Sequence, residues 1–71
     1  MKFYIEKGNL GQGATREQSE KVIEMLKQKG WNVEYGSGAN KAEDVSEFGR
    51  ETEIQDAFAD DFMACIETLG F

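Results

Sequence analysis

Histidine and proline are absent from this 71-residue chain, and cysteine occurs once, at position 65. Without histidine there can be no Ser-His-Asp or Cys-His arrangement. One thiol cannot close an internal disulfide, and with no imidazole beside it a zinc site is close to excluded. Cys65 falls on an apolar helical stripe, which reads as a small core residue and not a nucleophile. No apolar run approaches the roughly 20 residues of a membrane span, and no signal-peptide pattern precedes the first strand-like segment. The chain is therefore read as an intact small protein of a reducing cytoplasm. No staple is available to a core of this size, so a partner or self-association is expected to help it.

Positive charge is also scarce, and unevenly so. The formal net charge is −6. Residues 1–36 hold six cations against five carboxylates, a net of +1; residues 37–71 hold two against nine, a net of −7. Direct nucleic-acid binding is disfavoured, because neutralising phosphates dominates that affinity. A basic protein surface is favoured as partner, with Glu43, Asp44, Glu47, Glu53, Asp56 and Asp60 as the candidate contacts. Solubility alone is the competing explanation of the acidity.

The clearest periodicity lies in residues 52–71. Ile54, Phe58, Phe62, Cys65, Ile66 and Leu69 recur at steps of three and four, with Glu53, Asp56, Asp60 and Glu67 opposite. This is an amphipathic helix with an acidic back, expected to be the main core element. Thr52 with Gln55 has the form of a capping box, Gly70 that of a C-terminal stop, and Phe71 that of its apolar contact. The acidic polar face would be repelled by anionic lipids, so a membrane-surface role is disfavoured.

Earlier in the chain, residues 1–7 alternate as a half-buried strand, and residues 31–35 do so again with Trp31, Val33 and Tyr35 on one face. Between them, Thr15 and Gln18 form another capping-box pattern. The helix that follows runs from Arg16 to about Lys29, with Val22, Ile23 and Leu26 buried and Gly30 as its stop. Trp31 is then placed for a Schellman contact with Leu26 and reads as a core lid. Strand, helix and strand of these lengths form a right-handed unit with parallel strands. Two strands make a poor sheet, so a third from elsewhere in the chain or from a second copy is expected. Asn40 and Glu43 suggest a short helix through Phe48, a short edge strand over residues 45–48 being the alternative.

The glycine-rich connection is the one motif-like stretch. Gly8, Gly13, Ala14 and Thr15 keep the spacing of a phosphate-binding loop, but Ala14 stands where the lysine belongs. Gly11 and Gly13 begin the dinucleotide pattern, but Arg16 occupies the third glycine position. The stretch reads as a strand-to-helix connection. A weak phosphate or nucleotide site at Gly8, Gly11, Gly13, Thr15 and Arg16 is its functional alternative. Neighbouring carboxylates such as Asp60 and Asp61 diverge on a helix, and nothing marks a pocket that would shift a pKa. No enzyme, cofactor or metal is expected.

The expected fold is a single α/β domain over residues 1–71: strand, helix, strand, short helix, long helix, with the helices on one face of a small sheet. Its core is expected from Phe3, Ile5, Val22, Ile23, Leu26, Trp31, Val33, Ile54, Phe58, Phe62, Ile66 and Leu69. The leading function is a small acidic interaction protein that mimics nucleic acid, as a phage- or mobile-element-type inhibitor of a nucleic-acid-binding protein would. An oligomeric assembly subunit that completes its sheet across a two-fold axis is a further alternative.

Overall fold

The computed structural model describes residues 1–70. Strand β1 (Lys2–Ile5) is followed by a 3-10 turn over Lys7–Leu10, then helix α1 (Arg16–Gln28) and strand β2 (Asn32–Tyr35). A second 3-10 turn, Val45–Glu47, leads into the long helix α2 (Glu51–Leu69). The strands pair in parallel, with Phe3 opposite Val33 and Ile5 opposite Tyr35. Alternation does the sorting. Phe3, Ile5 and Val33 are buried on the face that carries the helices. On the other face Lys2 Nζ reaches Glu34 Oε1 across the strands at 2.8 Å.

Local signals set the limits of α1. Thr15 Oγ1 accepts from the Gln18 N–H at 3.2 Å, and Gln18 Oε1 accepts from the Thr15 N–H at 2.9 Å, which closes the expected capping box. At the other end Trp31 N–H donates to Leu26 C=O and Gly30 N–H to Lys27 C=O, the paired bonds of a Schellman motif. Gly30 sits at φ +100°, a conformation that favours glycine because no Cβ collides with the following carbonyl.

The core centres on α1, not on α2 as the periodicity suggested. Ser19, Val22, Ile23 and Leu26 of α1 are all buried, and α1 touches β2, α2 and the first 3-10 turn. Along α2 only Phe58 and Cys65 are buried; Ile54, Phe62, Ile66 and Leu69 are half-buried. The reason is position. α1 packs against β2, α2 and the first 3-10 turn, whereas α2 keeps one side turned to solvent. Its anchor is aromatic: Phe58 stacks on Phe3 with centroids 3.8 Å apart, and Trp31 meets both rings edge-on. Trp31 is half-buried, as a lid would be, and its indole N–H donates to Asp61 at 2.7 Å.

Two expectations from local sequence are corrected. α2 starts at Glu51, with Arg50 at the N-cap making no side-chain bond, so Thr52 and Gln55 lie inside the helix and cap nothing. The Glu51 carboxylate instead reaches back to the Gly49 N–H at 2.9 Å. The short helix through Phe48 is replaced by the three-residue 3-10 turn, capped by Asp44 and not Asn40. The chain before it is held extended, because Lys41 exchanges two backbone bonds with Lys2 as an isolated antiparallel bridge. That bridge stands where a third strand was expected. Gly70 ends α2 at φ +75°, as expected; the contact assigned to Phe71 lies outside the described residues. Among the described residues no helix is long and apolar enough to cross a membrane.

Candidate functional site

The carboxylates of the second half divide into two groups with different employment. Glu43, Asp44 and Glu47 build the turn that pins the start of the chain. Glu47 accepts from the Met1 ammonium with one oxygen; with the other it accepts from the Glu43 N–H at 2.8 Å and the Asp44 N–H at 3.2 Å. Glu43 lies 3.4 Å from the same ammonium and accepts from the Asn32 amide at 2.8 and 3.0 Å. Asp44 caps the turn through the Ser46 N–H. The Met1 ammonium holds Glu47 below the usual carboxylate range, and Glu47 in turn raises the Met1 amine above its ordinary value.

Glu53, Asp56 and Asp60 form the second group, joined by Glu67. At 3.6 residues per turn all four fall opposite Phe58 and Cys65, on the outer face of α2. All are exposed. Glu53 has Arg50 as a surface partner at 3.3 Å, while Asp56, Asp60 and Glu67 form no ion pair among the described residues. They make a stripe about 21 Å long, at the helical rise of 1.5 Å per residue. Beside it on α2 lies an apolar shoulder of Ala59, Phe62, Met63 and Ile66. Met63 is 54% exposed, and Phe62 and Ile66 are half-covered. Below that shoulder a cleft of about 300 Å³ opens between α2 and the outer edge of β1.

The glycine connection is largely occupied with itself. Gly11 N–H donates to Gly8 C=O and Ala14 N–H to Gly11 C=O, while Thr15 is bonded to Gln18. Arg16 projects away from the loop: its Nε donates to Glu20 at 3.1 Å and its guanidinium lies 4.3 Å from the centroid of the Tyr35 ring. Gly13, Ala14 and Gln18 border only a smaller cleft, which Gly8, Thr15 and Arg16 do not line. Cys65 is fully buried, and burial pushes its thiol pKa up, away from nucleophilic use.

Sequence reasoning missed the cleft and the roles of Asn32 and Asp61. No local signal marks them, because each depends on residues far apart in the chain. Comparison with protein families, with curated proteins and with solved structures gave no match.

Proposed function

We propose that this chain is a non-enzymatic interaction protein whose α2 outer face binds the basic surface of a cytoplasmic nucleic-acid-binding protein. The observation that carries this reading is the stripe of Glu53, Asp56, Asp60 and Glu67, exposed and mostly without cations of its own. Carboxylates already neutralised inside a protein have little attraction left for a partner. These retain it, and the net charge of −6 reinforces their field.

The stripe sets four negative charges along about 21 Å of a rigid helix. A nucleic-acid strand presents one charge per roughly 3.4 Å. The protein is the sparser of the two, but its charges are fixed in a line and can occupy part of a phosphate-binding groove. Inhibition by occupancy follows, the mode a phage or mobile element would use. Glu43 and Glu47 are assigned to the fold in this reading, because their oxygens are bonded inside the chain.

Affinity capture from a nuclease-treated bacterial lysate tests the role, using wild type and an E53K/D56K/D60K variant shown by circular dichroism to be folded. The expected result is a discrete basic protein retained by wild type at low salt, released as salt rises and missed by the variant. The same retained proteins with both baits would overturn the reading.

A further inference from the structure

The turn ahead of α2 is held by polar contacts and hardly at all by apolar packing. No residue from 41 to 50 is buried, and Val45 and Phe48 are 77% and 62% exposed. Three attachments join this stretch to the sheet. Lys41 exchanges two backbone bonds with Lys2, at 2.8 and 3.0 Å. Glu43 accepts from the Asn32 amide. The Met1 ammonium stands between two carboxylates, donating to Glu47 and lying 3.4 Å from Glu43. The second Glu47 oxygen holds the Glu43 and Asp44 N–H groups, so the ammonium fixes the side chain round which the turn closes. These carboxylates, Glu47 foremost, raise the Met1 amine above its ordinary value of 8.0, and it is charged at neutral pH.

The arrangement needs an amine and not an amide. An ammonium brings positive charge and three N–H donors. A thioester donor can acylate the free amine: the nitrogen attacks the carbonyl carbon, the C–S bond breaks, and the thiol leaves with the proton the amine gives up. The product is a neutral amide with one N–H, and its new carbonyl oxygen is set beside two negative charges. Neither side can easily move off to water. The Met1 side chain is 1% exposed and that of Glu47 is 19% exposed.

We propose that the Met1 α-amine is a modification-sensitive latch: the turn over residues 41–48 is closed on β1 when the amine is free and detached from it when the amine is acylated. The rest of the fold stays in place, because Phe3, Val22, Leu26 and Val33 are fully buried without help from the turn. Detachment returns Glu43 and Glu47 to solvent just ahead of α2. The latch does not depend on what α2 binds.

Amide hydrogen exchange, followed by nuclear magnetic resonance, tests this on 71-residue chains made by chemical synthesis with Met1 free or Nα-acetylated. Acetylation is expected to speed exchange at Lys41, Glu43 and Asp44 about tenfold while Val22 and Leu26 keep their protection. In an E43Q/E47Q chain the same amides should exchange fast from the start, and acetylation should change them by less than about twofold. A chain with one glycine ahead of Met1 carries its ammonium about 3.8 Å further on and should match the acetylated chain. Equal exchange in the free and acetylated chains would overturn the latch. Equal acceleration in wild type and E43Q/E47Q would overturn it too, since the amine would then act through groups other than these carboxylates. A glycine-extended chain that exchanges like the free one would show that the position of the ammonium is immaterial, against the proposal. Loss of protection at Val22 and Leu26 on acetylation would assign the amine to the whole fold and overturn a local latch.

Discussion

At the scale of single residues, the side chains that count most are those with one specific duty. Glu47 is bound to Met1 and to two backbone N–H groups, so its contribution depends on charge at both ends of the pair. Its folded pKa is lowered, so the stability it gives is present above the ordinary carboxylate value of 4.5 and is lost as pH falls through the folded value. The Met1 amine is raised, so its contribution is present below its ordinary 8.0 and is lost as pH rises through the folded value. Glu47→Gln should therefore lower the urea midpoint near pH 6–7 and flatten the alkaline fall in stability expected of wild type above about pH 8. Urea melts at pH 4, 6.5 and 9.5 check this; a variant that keeps the wild-type alkaline limb would contradict it. Gly30 is the other such position. Gly30→Ala should cost about 1–2 kcal/mol, because an alanine at φ +100° is strained even with open space around it.

Among the elements, legibility in the sequence followed how local the determinants were. α1 could be read to within a residue because Thr15, Gln18, Gly30 and Trp31 act on backbone within four or five positions of themselves. Thr52 and Gln55 carry the same letters without effect. The first turn of α2 closes earlier, with Ile54 N–H donating to Arg50 C=O, and this places Thr52 within the helix. The turn at Val45–Glu47 was misread because its form depends on Met1 and Lys2, more than 35 residues away in the chain. Periodicity found the apolar stripe of α2 and the acidic one, but it could not say how much of the former would be covered. Depth of cover is a property of the whole packing, and it left Phe62 and Ile66 half-exposed. Two measurements bear on this layer. Phe58→Ala should cost about 3 kcal/mol or more, because it removes the ring stacked on Phe3. A domain of this size has only a few kcal/mol to lose, so the variant should sit near its folding threshold at 25 °C. Cys65 should resist a thiol reagent in the folded protein, reacting about a hundredfold faster in urea. Equal rates would show that α2 lifts off readily.

For the whole molecule, the placement of charge matters more than its amount. The sequence disclosed the asymmetry between the halves and, as candidate contacts, every carboxylate of the stripe except Glu67. It could not sort them, since sorting depends on which oxygens the fold consumes: Glu43 and Glu47 are bound inside, while Asp56, Asp60 and Glu67 are left outside. The cleft walled by Phe58, Ala59 and Phe62 was beyond sequence reading altogether, because it joins an edge of β1 to a face of α2 that lies more than 45 residues later. The proposed function assigns binding to the outer side of α2, where the stripe and the shoulder beside it lie.

The most direct test of this account is competition for the partner. A fluorescent duplex is bound to the basic protein retained by wild type, and the anisotropy of the duplex is followed as this protein is added. The account predicts release of the duplex by wild type and little release by the E53K/D56K/D60K variant at equal concentration, with the difference shrinking as salt rises. A duplex that stays bound while wild type also binds, or that the variant releases equally well, would contradict the claim that the α2 stripe occupies a phosphate-binding surface.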